Sequence, residues 1–526
     1  MASNTVRRHF LTYVLLAAAC SSAILHGQLV DRNKAPNSAN EGVARPLIGF
    51  PYPSQIGDGR YGTDGNTSLN VIAFDPFRAI RRGRQLFQRK FTRLEGQGPV
   101  SGDGFGDINS DPFIGAGLSD SCAGCHGRPR GAAGFGGDVA TRPDSRDAPH
   151  LFGLGLKEML ADEITADLRT IRAAATAQAI AMGLATTRPL TSKGISYGRI
   201  TGLPNGAVDT SEVEGVDPDL RVRPFSAHGG TISIREFVVG ALHAEMGLAV
   251  DDPDLMAAQT GPVTTPSGMQ LNGLTDTIEG PPADQGDLGT IGQRTALADF
   301  LEFYLLNYFR AGIGEQTIEV VRGRRDFQRI GCTACHVPDL VIARDRRVAD
   351  VETVFDPTNG NLNRLFATAR LLLANPSSIG QPTVAKIPAM QPFLVKDIFT
   401  DFKRHDLGPH FHERNYDGTL RTRFLTTPLW GAGSTAPYGH DGRSIDLTEV
   451  ILRHGGEAQA ARNAFAHLSP ADRGTVLAFL RSLIVFPPDD TASNLDPGDR
   501  TLPGFPQFGH GSIKLTVLFN SPAFVE

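Results

Sequence analysis

The chain has 526 residues, of which 40% are hydrophobic and 20% charged, a balance typical of a soluble globular protein with room for two or three domains. Its net charge of −5 leaves no basic field for nucleic acid, which is excluded as a partner. The 59 glycines and 35 prolines predict long irregular connections between helices.

The chain starts MASNTVRRHFLTYVLLAAACSSAILHGQ, with Arg7 and Arg8 ahead of an apolar run from Phe10 to Ala19. That run is too short to span a bilayer and reads as a secretory signal over residues 1–27. Two outcomes are open at Cys20: acylation as a lipid anchor, or cleavage near AILHG, which discards it. Ala17 stands where a lipoprotein signal usually has Leu, which favours a free protein in the periplasm. Residues 28–73 form an N-terminal extension.

The phrase GRQLFQR (Gly83 to Arg89) returns as GRRDFQR (Gly323 to Arg329), and each copy leads into a cysteine pentapeptide. The first is CAGCH, Cys122 to His126, reached through the Gly-rich insert EGQGPVSGDGFGDINSDPF; the second is CTACH, Cys332 to His336. Two cysteines three apart with a histidine directly after form the attachment signature of a c-type haem. The thiols add across the porphyrin vinyl groups, and the adjacent imidazole coordinates the iron from one side. A zinc site would need three or four protein ligands, and no second cysteine pair stands near either copy. Four of the five cysteines are used in this way, so two covalently bound haem c groups are expected. They would be held by Cys122, Cys125 and His126, and by Cys332, Cys335 and His336. Covalent haem attachment in bacteria happens outside the cytoplasm, which agrees with export.

Each copy of the repeat is closed by an apolar helix. TALADFLEFYLLNYFRAG closes the first, and LSPADRGTVLAFLRSL closes the second, with Ser469 as N-cap and Pro470 at the first helical position. Residues 194–218 and 260–292 are turn-rich and admit short β hairpins. The expected fold is mainly α, with two cytochrome c-like haem domains, long irregular loops and minor β hairpins. The domains run over 74–310 and 311–487, followed by a tail at 488–526.

With both pentapeptides placed, further stretches resemble the bacterial di-haem cytochrome c peroxidase and MauG superfamily. They are RDAPHLFGLGLKE, HAEMGL, CTACHVP, FTDFKRHDLGP, TTPLWG, YGHDGRS and EVILRHGGEA, spread from about Phe74 to about Leu483. The chain is most similar to the di-haem oxidoreductase branch, also called thiol oxidoreductases. The resemblance implies two haems facing a shared interface, one reacting with peroxide and one relaying electrons. Glu245 in HAEMG matches the family's active-site acid. A carboxyl near the iron can move a proton from the inner to the outer oxygen during O–O cleavage. A solvated helix residue is the rival reading, but the apolar neighbours of Glu245 argue for a cavity or a partner; His243 should point elsewhere.

Relatives often place a tryptophan between the haems. Here Trp430 lies in TTPLWG, and the corresponding stretch RPFSAHGG offers Phe225 and His228, so plain electron transfer across the interface is expected. No histidine lies between His126 and His150, which implies a first haem left open or capped by water, with His150 as the alternative ligand. Ser444 and Ile445 stand where relatives carry the second haem's further ligand, leaving His454, then His440, then Met390. Capping a helix C-terminus is the rival role for His454. The resemblance also implies a calcium ion bound by the Asp147 side chain and the carbonyls of Thr426 and Pro428.

These expectations describe a periplasmic oxidoreductase reducing hydrogen peroxide, or another small-molecule oxidant, with electrons from a small redox protein. The alternatives are a MauG-like or oxygenase-like enzyme oxidising a protein or organic substrate, and a non-enzymatic di-haem electron carrier. Thiol chemistry has no support, because all four internal cysteines go to haem.

Overall fold

The computed structural model describes residues 68–91 (except 75), 119–126, 147–280 (except 247 and 249–251), 295–308, 311–350, 370–371, 392–415, 418–485 and 503. The signal segment expected at 1–27, Cys20, the Gly-rich insert, Met390 and the tail expected at 488–526, apart from residue 503, lie outside them.

Two helix crossings organise the chain. In the first half α1 (Ser68–Phe74) leads into α2 (Pro76–Gln88), the short helical turn α3 (Cys122–His126) and the long α4 (Leu154–Met182). These are followed by α5 (Ile234–Met246), α6 (Pro253–Ala258) and α7 (Thr295–Asn307). The second half holds α8 (Ile318–Arg329), α9 (Leu447–Arg453), α10 (Gln459–Ala466) and α11 (Pro470–Arg481). Helix α2 packs on α7, and α8 on α11. Helix α7 is buried from Leu297 to Asn307, as its nearly continuous apolar sequence requires. Helix α11 starts at Ser469, whose Oγ accepts from Asp472 N at 3.1 Å, with Pro470 in its first turn.

A glycine of the repeated phrase lies at each crossing. A Cβ on Gly83 would lie 2.1 Å from the Phe300 carbonyl oxygen, and one on Gly323 would lie 1.8 Å from that of Thr475. Only hydrogen fits between backbones this close. One turn further on, Phe87 lies with its ring centre 6.3 Å from that of His126, and Phe327 lies 6.0 Å from His336. The repeated GxxxF therefore packs one helix and then reaches the pentapeptide.

Helix α4 is bracketed by Gly153 and Gly183, with φ of 74° and 65°. At Gly153 a side chain is excluded twice over, since a Cβ there would also lie 2.4 Å from the Trp430 ring. On α4 packs an antiparallel sheet of β1 (Thr186–Ser192), β2 (Ile195–Gly202) and β3 (Val208–Asp209). Its first turn, Lys193-Gly194, has positive φ at both residues, which matches the twist of a tight hairpin. The β structure thus begins ahead of the turn-rich stretch expected at 194–218. In the second half, β4 (Gly312–Ile313) pairs antiparallel with β7 (Leu483–Ile484), joining its start to its end. Between them β5 (Arg404–Asp406) pairs with β6 (Arg423–Leu425).

The larger hydrophobic core takes in the first half together with Leu340, Ile342, Val395, Phe402, Trp430 and Val485. A smaller one, with Phe327, Phe399, Leu477 and Phe479, belongs to the second half alone. All described residues fall in one compact unit, mainly helical with short strands. No helix among them is long and apolar enough to cross a membrane.

Helix α5 carries Glu245 and is fixed from beneath. The fully buried Arg235 reaches Asp252 at 2.6 Å, Asp299 at 2.7 Å and Glu302 at 3.1 Å, linking α5 to α7. The Glu158 carboxylate accepts from Ile234 N at 2.6 Å and ties the start of α5 to α4. Breaking a buried pair of this kind costs about 3–5 kcal/mol, so the helix is held firmly.

Candidate functional site: a cavity shared by both pentapeptides

A cavity of about 1400 Å³ is lined by Cys122, Cys125 and His126 from one side and by Cys332, Cys335 and His336 from the other. That exceeds the roughly 300–1,000 Å³ of a pocket for one small ligand. None of the four cysteines is in a disulfide. Burial pushes the Cys122 and Cys332 thiols up to about 12.

The two histidines are held alike. His126 Nδ1 lies 2.8 Å from the Pro149 carbonyl oxygen, and His336 Nδ1 lies 3.1 Å from that of Phe399. A carbonyl only accepts, so Nδ1 carries the hydrogen and the lone pair sits on Nε2, the arrangement of an iron-binding imidazole. Burial, helped by nearby His454, lowers His336 to about 4 and keeps it neutral. The residues present therefore fit two covalently attached haems with histidine ligands.

Glu245 lines the cavity, half-buried, at the end of α5. Its carbonyl accepts from Ser119 N at 3.4 Å, and Met246 Sδ lies 4.0 Å from Cys122 Sγ. The turn carrying Glu245 is thus bound to the first pentapeptide. His243 is buried and also lines the cavity.

His150 is engaged at both ring nitrogens. Nε2 donates to the Trp430 carbonyl at 2.7 Å, and Nδ1 accepts from Phe152 N at 3.3 Å. Burial lowers it to about 4, opposed by the bond to Trp430. In this arrangement His150 joins the two halves and has no nitrogen left for iron. Trp430 itself is buried in the cavity wall, Phe225 lines the same wall, and His228 Nδ1 lies 3.2 Å from Arg421 Nη1.

In the second half, His454 follows α9, and its Nδ1 lies 2.7 Å from the Val450 carbonyl. The capping role and the ligand role thus use different nitrogens, since Nε2 keeps the lone pair. Burial lowers His454, which keeps it neutral. His440 instead has Nε2 3.2 Å from Glu413 and its ring stacked on Phe424 at 4.1 Å. The expected calcium set, Asp147, Thr426 and Pro428, borders the same cavity. The Thr426 carbonyl already accepts from Thr400 Oγ1 at 2.5 Å, and Asp147 N donates to the His440 carbonyl at 3.2 Å.

One cluster was missed in the sequence. Cys335, Asp401 and His405 bring potential metal-ligand atoms together, the last two from FTDFKRHDLGP. His405 lies 2.8 Å from Asp401 through Nε2 and 2.6 Å from Glu457 through Nδ1. Burial disfavours its charged form, but the bonds to Asp401, Cys335 and Glu457 prevail and push it up to about 10. Both ring nitrogens of His405 are thus engaged by carboxylates. The Asp-x-x-x-His spacing was the available signal.

These features define a mainly helical protein with two CxxCH pentapeptides opening on one cavity. Residues 376–483 match the family described as "Di-haem oxidoreductase, putative peroxidase". The matched span holds FTDFKRHDLGP, TTPLWG, YGHDGRS and EVILRHGGEA, downstream of both pentapeptides, and agrees with the resemblance read from the sequence. No curated protein matches the chain. Among solved structures the chain is similar to hydrazine synthase of Kuenenia stuttgartiensis, at 15% identity and a TM-score of 0.22. The alignment covers 38% of this chain and 59% of that one, so little more than half of the relative is spanned, and at this score the likeness carries no argument.

Proposed function

We propose that the chain is an exported, periplasmic di-haem oxidoreductase that reduces hydrogen peroxide to water with electrons from a small redox protein. The family match supports di-haem oxidoreductase chemistry. The finer reading is carried by one observation: two CxxCH segments, their histidines held alike, line one cavity together with Glu245. In this reading residues 74–310 and 311–487 form two cytochrome c-like domains, the first for peroxide and the second for electron relay.

The four cysteines anchor the haems, and His126 and His336 each offer Nε2 to iron. His454 offers a further nitrogen on the second side, whereas the wall beside the first pentapeptide offers a carboxyl. The haems, when bound, supply the electron chemistry. Glu245 accepts the proton of the inner peroxide oxygen and returns it to the outer one, which leaves as water. Two electrons and two further protons complete two waters per peroxide.

The test begins with the pyridine haemochrome of the denatured protein, which should give two c-type haems per chain, falling to one in Cys122→Ala or Cys332→Ala. The loaded protein should then oxidise two equivalents of a one-electron donor per peroxide. A protein with both haems that is inert to peroxide overturns the peroxidase reading. If it consumes oxygen with an organic substrate it is an oxygenase, and if it only exchanges electrons it is a carrier.

A further inference from the structure

Lys157 is a cation in the cavity wall that the proposed reaction does not use. It lies in the first turn of α4 and lines the cavity with His150, Leu154 and Phe225. Its Nζ stands 5.4 Å from the centre of the Phe225 ring, and no carboxylate among the described residues pairs with it. Glu158, its neighbour in sequence, is bonded to Ile234 N instead, and Glu236, on the same cavity wall, is bonded to Ser233 and Glu279 N. Burial alone lowers Lys157 to about 8, with no acidic group opposing it, so it is still charged at neutral pH. Lys157 is half-buried, and its ammonium faces the cavity with only the weak cation–π contact of one ring beside it, so it is open to a counter-ion.

We propose that Lys157 binds a carboxylate inside the shared cavity. The proposal rests on the di-haem reading for one source of that group, a propionate of a bound haem. The other source is a small free carboxylate entering the cavity.

The experiment compares the full-length loaded protein with Lys157→Met and Lys157→Arg by spectroelectrochemistry in acetate-free buffer, then with added acetate. If a haem propionate is the partner, Lys157→Met leaves its charge uncompensated and favours ferric iron. One of the two potentials should then fall by about 59 mV, a tenfold change in the ferrous-to-ferric ratio, while Lys157→Arg stays near the parent. If a free carboxylate is the partner, the potentials agree until acetate is added, and the parent then shows a saturable shift that Lys157→Met lacks. Two haems, unchanged potentials and an acetate response like the parent's in Lys157→Met overturn the proposal. If Lys157→Met loses haem, Lys157→Gln takes its place in the same comparison. Fewer than two haems in the parent is instead the failure of the di-haem reading. Acetate-dependent thermal stabilisation, present in the parent and lost in Lys157→Met, then decides the Lys157 site alone, and equal responses overturn it.

Discussion

In the first half Gly83 lets α2 close on α7 while Phe87 approaches His126; in the second, Gly323 lets α8 close on α11 while Phe327 approaches His336. In both, a backbone carbonyl fixes the histidine through Nδ1. The opposite walls differ. The first pentapeptide is bound to the turn carrying Glu245, with His243 and Lys157 on the cavity wall, whereas the second lies near His454, held through Nδ1 by its own helix. The attachment frame is duplicated and the wall facing it is not. In the proposed function the frame would hold a haem, and the wall would determine what that haem can do.

The largest expected effect comes from altering the wall alone. Glu245→Gln keeps size and polarity but removes the carboxyl, so the reaction with peroxide should slow by about 10²- to 10⁴-fold in stopped flow. Haem content and the ferric spectrum should not change, because Glu245 holds no iron. A wild-type rate in this variant would make Glu245 structural and leave the two halves functionally alike.

Altering the frame should instead cost stability. Gly83→Ala and Gly323→Ala each force a methyl into backbone, so denaturant unfolding should lose about 1–3 kcal/mol or more, with Gly323 the more sensitive. A variant that unfolds like the parent would show that its crossing can open without cost.

The smallest effect concerns the tie between halves. His150 is depressed to about 4 from an ordinary 6.5, so its contribution to stability is present above about 6.5 and is lost as pH falls through 4. Thermal unfolding of the parent should weaken over that window, and His150→Gln should flatten this limb. An identical acid profile in the variant would remove His150 as the titrating tie.

The pentapeptides, the repeated phrase and the closing helices were legible in the sequence because each is a local pattern: cysteine spacing, GxxxF, and apolar runs behind an N-cap. Helix α4 also carried a signal, a glycine at each end of a long amphipathic run, although Gly153 is equally explained by a tryptophan far along the chain. The rest depends on tertiary path. Whether His440 or His454 keeps Nε2 available is decided by Glu413 and Val450, which no spacing rule connects to a haem site. Nothing in the local pattern around Lys157 shows that it stands in a cavity wall.

The central claim is that two similar attachment frames hold two unlike irons. Electron paramagnetic resonance of the resting ferric protein, with spins counted per chain, tests this most directly. The account predicts one high-spin haem, open beside Glu245, and one low-spin haem with histidine on both sides. Two low-spin signals, two high-spin signals or fewer than two haem spins per chain would contradict it.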